Sequence, residues 1–313
     1  TYPFVELASI SSQYQRDFMD GKLNGDGKLN AYLFAIKHKI IFFLGVINMK
    51  LLTRTGVAVT AAALIMMLPF SVSQARDYSE IKESGVLKVS NSGAYPPFSF
   101  VDLSGNVKGF DVDVANAIAE KMGLKAEIKT TPWNGIIAAL VAGKYDACIC
   151  SMSDTEERRK AVDFTTDYYW AGSALYTKED SGINSASDMN DKVMGSTLGE
   201  TSNTWAVNRV KDGKNSWSNQ TFRGLPDLLL ALDTGRVAAI AVDDVPVAVA
   251  MKEKGYKFRR IATEGLDRYP AAITVQRNQL ELKAAIQKGL DEIKADGTYA
   301  KLMDKWIGFD ISK

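Results

Sequence analysis

The chain has 313 residues, of which 46% are hydrophobic, and a formal net charge of +1. This length allows one large domain or two smaller ones, each built around a hydrophobic core. The nearly neutral charge balance gives no indication of nucleic-acid binding, which needs a basic face, and we expect no nucleic-acid partner.

A secretory signal peptide is predicted at residues 49–75. Lys50 supplies the basic end, an apolar stretch runs from 57 to 70, and small residues at 73–75 form the cleavage site. A membrane anchor is the weaker interpretation, since this stretch is shorter than the ~20 residues that a spanning helix needs. We therefore expect cleavage before Arg76 and release into a periplasm. Because no cysteine stands at the cleavage site, we expect no lipid anchor.

Residues 1–48 are interpreted as a leader, either an artificial extension or the product of a misassigned start. The chain begins with Thr1, whereas Met49 is a natural start. Without residues 1–75 the chain keeps 31 basic and 33 acidic residues, a net charge of −2. The single histidine, His38, lies in the leader, so the mature protein has no imidazole. This removes the usual catalytic triads and histidine-based metal sites, and we expect neither a metal nor a cofactor.

Strand and helix patterns alternate after residue 85. Apolar residues at 115, 118, 119 and 122 recur at helical spacing, and Gly123 is a stop signal. Asp111 and Asp113 are interpreted as first-turn charges that favour the helix dipole, with no further role. The order of elements predicts a parallel sheet with helices on its faces. The predicted strands are 86–90, 99–102, 107–110, 126–130 and 147–150, and the predicted helices are 111–123 and 136–143.

The same alternation returns after about residue 180. The helix ends at 139–144 and 231–236 each carry a glycine stop and a basic residue, and each leads into an apolar strand. This weak repeat indicates two similar lobes that each offer polar groups at a strand end. The predicted strands are 192–195 and 237–242, and the predicted helices are 201–209, 225–232, 245–254 and a pair between 280 and 307.

Cys148 and Cys150 lie two residues apart on the predicted strand 147–150. Side chains at this spacing point to the same face of a strand, in poor geometry for a disulfide. We expect two small buried side chains, with Cys150 placed to touch a pocket at the strand end.

The end of this strand is the predicted binding site. Ser151, Ser153 and Arg158 follow it, and the strand ends of an open α/β sheet are where such sheets bind ligands. A planar guanidinium can hold a carboxylate through two parallel hydrogen bonds. The chain is therefore interpreted as a receptor for a small carboxylate-bearing molecule.

Three more residues are candidates for the same pocket, and each has a structural alternative. Tyr95 can form a rigid turn before two prolines, and Trp133 can pack at a helix entry. Asp243 follows the second apolar strand and can cap the next helix. Arg158 itself lies in a charged run that is typical of a solvated helix face.

Five motifs in a characteristic order carry a family resemblance. They are 95–100 (YPPFSF), 109–114 (GFDVDV), 133–140 (WNGIIAAL), 153–164 (SDTEERRKAVDF) and 296–299 (DGTY). With them the chain resembles the periplasmic binding proteins for polar amino acids, family 3 of the bacterial solute-binding proteins. The similarity covers residues 76–313.

The resemblance implies an α/β fold with two lobes, the type II periplasmic-binding-protein fold or Venus flytrap, with two hinge crossings. It places the crossings near 170–174 and 269–272. Lobe 1 would comprise 76–172 and 270–313, and lobe 2 would comprise 173–269.

The resemblance also implies ligand-binding roles. Arg158 should hold the α-carboxylate of an amino acid, and Asp243 should accept its ammonium group. Thr201 should reach the carboxylate from lobe 2. Tyr95 and Trp133 should enclose the aliphatic part of the ligand between their rings.

The remaining implied positions carry less specific roles. Ser151 and Ser153 should add hydrogen bonds, and Ser202 lies beside Thr201 in a loosely aligned loop. Asp244 is the alternative ammonium partner. The family usually places proline two residues after the ammonium-binding aspartate, and Pro246 stands two residues after Asp244 but three after Asp243. Ser92 stands where relatives that prefer cationic ligands often have aspartate, which disfavours a Lys- or Arg-like ligand.

The function that follows is a periplasmic receptor, not an enzyme, that delivers a free amino acid to the membrane permease of an ABC transporter. A neutral polar or acidic amino acid is favoured, and a monomer is expected. The alternative is a cyclohexadienyl dehydratase acting on prephenate or arogenate, with Glu200 as the candidate general acid. Ser92, Asn91, Thr197 and Glu200 are unranked candidates for contact with the ligand side chain.

Overall fold

The computed structural model describes residues 75–312. The predicted leader and all but the last residue of the predicted signal peptide lie outside this range. Among the described residues, no helix has both the length and the apolar character needed to cross a bilayer.

Strands and helices alternate through this range, and each element predicted from the sequence has a counterpart within a few residues. The first half contains α1 (Tyr78–Ser84), β1 (Val86–Asn91), β2 (Ala94–Tyr95), β3 (Ser99–Val101), β4 (Val107–Lys108), α2 (Phe110–Lys121), β5 (Lys125–Thr130), α3 (Ile136–Val141), β6 (Ala147–Cys148) and α4 (Glu156–Arg159). The second half contains β7 (Val162–Lys178), β8 (Val193–Thr197), α5 (Thr201–Lys211), β9 (Ser218–Phe222), α6 (Leu225–Asp233), β10 (Ala239–Asp243), α7 (Asp244–Lys254), β11 (Phe258–Ile261), β12 (Arg268–Gln276), α8 (Leu280–Ala295) and α9 (Thr298–Trp306).

Nine strands form one mixed sheet in the order β5-β1-β6-β12-β7-β10-β8-β9, with β11 paired to β7. One parallel group is β5-β1-β6 and the other is β10-β8-β9. The antiparallel strands β12 and β7 lie between them. β7 pairs with β12 as far as Gly172 and with β10 from Ser173 onward. This change of partner falls inside the predicted crossing at 170–174, whereas the lobe limits stay a prediction.

A cluster of aromatic side chains packs against β7 close to the end of β6. Phe98 stacks on Tyr169 with ring centroids 5.0 Å apart, and Phe110 stacks on Tyr168 at 6.2 Å. All four side chains are almost fully buried, and aromatic pairs of this kind contribute about 0.5–1.5 kcal/mol beyond their area burial. Tyr168 is therefore fixed directly beneath the residues that follow β6.

Cys148 and Cys150 form a disulfide, so the expectation of two unpaired cysteines is wrong. The reason is that β6 ends at Cys148, and Cys150 lies beyond the regular strand. The Cα atoms are 5.5 Å apart, which is a usual separation for a disulfide. Both side chains are buried, as expected.

Candidate functional site

A cleft with an empty volume of about 420 Å³ lies where β8 and β10 end and where the chain leaves β6. Eight of the nine residues predicted for the site line it, namely Ser92, Tyr95, Trp133, Ser151, Ser153, Arg158, Thr201 and Asp243. Ser202 is buried beside Thr201 and does not line the cleft.

Arg158 reaches the cleft from the short helix α4, where the Thr155 hydroxyl accepts a hydrogen bond from the Arg158 amide. Its guanidinium donates to the main-chain oxygens of Ser153 at 2.9 Å and Gly199 at 3.2 Å. It also lies over the Trp133 ring, 5.3 Å from the centroid. Within residues 75–312 no carboxylate forms an ion pair with it. The guanidinium is thus held in part by a cation–π contact. Some of its N–H donors remain free for a ligand.

Burial lowers the pKa of Arg158 from its ordinary value, and the negative charges of Glu200 and Asp243 oppose this. The group stays charged at physiological pH, since arginine is effectively always protonated. An anion that enters the cleft therefore meets a partly dehydrated cation, for which attraction is stronger than in water. The solvated-face alternative fits the exposed neighbours Glu156 and Glu157 but not Arg158.

Asp243 ends β10 and points into the cleft. It accepts hydrogen bonds from the Tyr95 hydroxyl and the Ser173 hydroxyl, each at 2.5 Å. Burial raises its pKa, and these two hydrogen bonds counter the rise. Its side chain caps no amide of α7, so the helix-capping alternative does not describe it.

Asp244 lies outside the cleft lining and has other partners. It forms an ion pair with Arg260 at 2.8 Å and accepts a hydrogen bond from the Tyr176 hydroxyl at 2.8 Å. Of the two neighbouring aspartates that the sequence leaves open, the structure therefore brings Asp243 to Arg158 and Trp133.

Ser151 lies at the centre of a buried hydrogen-bond network. Its hydroxyl donates to Asp111 at 2.8 Å, and its amide donates to the Tyr168 hydroxyl at 2.8 Å. The Tyr168 hydroxyl in turn donates to Asp111 at 2.7 Å. Both donors of Ser151 are thus engaged inside the fold, so it can offer a ligand only an acceptor oxygen.

Asp111 does more than favour the helix dipole, and the interpretation of a purely electrostatic first-turn charge is wrong. It is fully buried. Burial raises its pKa to about 6, although the hydrogen bonds from Tyr168 and Ser151 oppose the rise. Ser151 has φ of +59°, a left-handed conformation that non-glycine residues rarely adopt. The network around Asp111 holds it there and so directs the chain toward Ser153 and Arg158.

The loop between β8 and α5 forms the opposite wall. α5 begins at Thr201 without a side-chain cap, so its first amide groups can meet an anion. Glu200 lines the cleft next to it. Burial raises the pKa of Glu200 to about 8, the Asp243 charge adds to the rise, and Arg158 opposes it. Glu200 is therefore mostly protonated at pH 7.

Arg223 and Gly224 also line the cleft and were missed in the sequence. Gly224 precedes α6 and packs against Ala94 of β2 across the cleft. A Cβ at Gly224 would lie 2.7 Å from the Ala94 Cβ and 3.0 Å from the Ala94 oxygen. The only local signal was a glycine before a helix start, which does not indicate a contact with a residue 130 positions away.

The Gly224→Ala substitution is expected to weaken ligand binding about tenfold, because the added methyl group separates the two walls of the cleft. Thermal unfolding of the empty protein should change little. Calorimetric titration measures the affinity. Adding Ala94→Gly, which removes the opposing methyl group, should restore most of it, and unchanged affinity in Gly224→Ala would contradict this account.

Among residues 75–312 no group of three or more His, Cys, Asp or Glu side chains is placed to hold a metal ion. The cleft is lined by the guanidinium groups of Arg158 and Arg223, the carboxyl groups of Asp243 and Glu200, and the aromatic rings of Tyr95 and Trp133. Such a set can bind a zwitterion, with its carbon skeleton between flat apolar surfaces.

Comparisons with known proteins agree with this geometry. The family of bacterial extracellular solute-binding proteins, family 3, matches residues 87–309. The L-cystine-binding protein TcyJ of Escherichia coli (strain K12) is 31% identical over 237 residues, which are 75% of this chain and 87% of that protein.

Two solved structures are similar over nearly three quarters of the chain. An ancestral arginine-binding protein bound to arginine is 38% identical and covers 72% of this chain and 99% of its own, with a TM-score of 0.65. The ancestral amino acid-binding protein AncCDT-1, a precursor of cyclohexadienyl dehydratase, is 33% identical and covers 73% and 98%, with a TM-score of 0.67. The two-lobed α/β fold predicted from the sequence is thereby confirmed.

Proposed function

The chain belongs to family 3 of the bacterial extracellular solute-binding proteins, and we propose on this premise that it captures a free amino acid for the permease of an ABC transporter. One observation carries the proposal. The unpaired guanidinium of Arg158 and the carboxylate of Asp243 line one cleft, together with the rings of Trp133 and Tyr95. An α-amino acid presents a carboxylate and an ammonium group at a fixed separation, which this pair complements.

In the proposed complex, Arg158 binds the α-carboxylate through its free N–H donors. Thr201 and the first amides of α5 add hydrogen bonds from the other wall. Asp243 accepts the α-ammonium group, already oriented by its bonds from Tyr95 and Ser173. Each charged hydrogen bond contributes about 1.5–3 kcal/mol. A micromolar affinity needs about 8 kcal/mol, so this set is sufficient.

We propose a neutral polar or acidic amino acid as the ligand. Ser92 offers a hydroxyl where a carboxylate would favour a cationic side chain. Arg223 adds a second cation to the lining. The relatives named for cystine and for arginine indicate that the family scaffold accepts side chains of different charge.

Closure and location complete the proposal. The lobes are assigned as 76–172 with 270–313, and as 173–269, and they close on the ligand because it contacts both. The hydrogen bond from Arg158 to the Gly199 oxygen is one link between them. The receptor is proposed to be a periplasmic monomer, exported through a cleavable signal peptide and without a lipid anchor.

A panel of free amino acids tested by calorimetric titration is the direct experiment. We expect one-to-one binding of at least one neutral polar or acidic amino acid with micromolar or tighter affinity. Because the α-groups carry much of the binding, the matching decarboxylated amine should bind at least 100-fold more weakly. Absence of binding by every amino acid would contradict the proposed function.

A second candidate is a cyclohexadienyl dehydratase, and one observation favours it. Glu200 is a carboxyl group in the cleft that keeps its proton at neutral pH, as a general acid must. The relation to a precursor of such an enzyme is in line with this. Turnover of prephenate or arogenate by the purified protein, lost in Glu200→Gln, would establish this candidate. We expect no turnover.

A further inference from the structure

Three side-chain oxygens, two in one wall of the cleft and one behind it, lack hydrogen-bond partners among residues 75–312. They belong to Thr197 at the end of β8, Glu200 in the following loop, and Ser202 in the first turn of α5. Thr197 is 3% exposed and Ser202 is 1% exposed. Each buried polar group left without a partner costs about 1–3 kcal/mol. Thr197 and Glu200 line the cleft. The simplest way to offset this cost is a hydrogen bond from each of them to a polar group of a bound molecule.

The neighbouring charges define what kind of group this wall can accept. The titratable and charged groups in the same cleft are Arg158 from α4, Asp243 from β10, Tyr95 from β2 and Arg223 before α6. Arg158 and Asp243 are matched by the α-groups of an amino acid. Glu200 then presents a neutral carboxyl group, with one O–H donor and one carbonyl acceptor.

We propose that Glu200, assisted by the Thr197 hydroxyl, recognises a primary carboxamide at the end of the ligand side chain, as in glutamine or asparagine. The inference rests on the proposed function and names the substrate class of the same cleft. The Glu200 hydroxyl donates to the amide oxygen, and the amide N–H donates to the Glu200 carbonyl. The second amide N–H meets the Thr197 oxygen.

Other side chains satisfy this wall less well. An aliphatic side chain leaves Thr197 and Glu200 without partners. A carboxylate side chain has no donor for the Glu200 carbonyl and adds negative charge next to Asp243. A cationic side chain offers donors only, so the Glu200 hydroxyl must first lose its proton. A site built to form hydrogen bonds rejects ligands that lack them by large factors.

Calorimetric titration at pH 7 with three probes tests the proposal, namely L-glutamine, L-glutamate and L-methionine. We expect glutamine to bind at least tenfold more tightly than the other two. Glu200→Ala should weaken glutamine binding by about 10- to 100-fold and methionine binding by less than threefold. Glu200→Gln can form a reciprocal amide pair and should bind glutamine within about threefold of the unchanged protein.

Glu253→Gln is the matched control, because it makes the same change of side chain at an exposed position on α7. It should leave all three affinities unchanged. Both Glu200 variants should fold, since the Glu200 side chain lines the cleft and does not cap α5.

A pH series gives an independent result. Glutamine binding to the unchanged protein should weaken above pH 8, relative to Glu200→Gln, as Glu200 loses the proton that it donates. The ligand ammonium group titrates equally in both measurements and cancels. If no amino acid binds, the proposed function itself fails. If an amino acid binds but Glu200→Ala affects glutamine and methionine alike, only the carboxamide inference is wrong.

Discussion

Arg158→Ala is expected to abolish amino-acid binding while leaving the empty protein nearly as stable as before. Removing the partner of a buried carboxylate costs about 3–5 kcal/mol, which corresponds to a loss of affinity of roughly 100- to 5,000-fold. The fold itself gains little from this side chain. It gives up two hydrogen bonds to main-chain oxygens, and it no longer has to keep a cation away from water.

Arg159→Ala is the matched control for this experiment. Arg159 is the next residue of α4, is exposed, and forms an ion pair with Asp154. Surface pairs contribute at most about 1 kcal/mol, so affinity should be unchanged. Arg158→Lys keeps the charge but loses the planar pair of donors, and an intermediate affinity is expected. Affinity that survives Arg158→Ala would show that the guanidinium does not contact the ligand.

Local sequence signals predicted the strand ends well. The run 147–150 is short and apolar and is followed by hydroxyl and basic residues, and the structure brings Ser153 and Arg158 into the cleft from this position. Asp243 was found in the same way, as the first polar residue after an apolar strand. In both cases a polar or charged residue marks the end of a buried strand, and the strand ends of an open α/β sheet are where such sheets bind ligands.

Contacts between distant segments could not be predicted from local patterns. The Gly224 contact with Ala94 and the bonds from Ser151 and Tyr168 to Asp111 depend on how separate elements pack. The motif GFDVDV offered a sufficient local explanation for Asp111, the helix dipole, and so its burial was overlooked.

The disulfide was missed for a related reason. Strand geometry was extended to Cys150, whereas the regular strand ends at Cys148. A short β element cannot be assigned a precise end from composition alone, because tertiary contacts decide where its ladder stops. An error of two residues in that end was enough to reverse the expected pairing.

Asp111→Asn is expected to change how the stability of the protein depends on pH. The native pKa of Asp111 is raised to about 6 by burial, above the value of about 3.9 for an unfolded chain. Between these two values the native state binds more protons than the unfolded state. The contribution of this group to stability therefore decreases as pH rises from about 4 to about 6 and then stays constant.

The size of the effect follows from the same two values. About two pKa units correspond to ~3 kcal/mol. The free energy of unfolding of Asp111→Asn, minus that of the unchanged protein, should therefore increase by about 3 kcal/mol from pH 4 to pH 7. Denaturant titrations at several pH values measure this difference. Asp304→Asn, at an exposed position on α9, is the control and should run parallel to the unchanged protein. If the curves of Asp111→Asn and the unchanged protein run parallel, the Asp111 carboxyl group titrates in the native protein as it does in water. That result would contradict the buried network that holds Ser151.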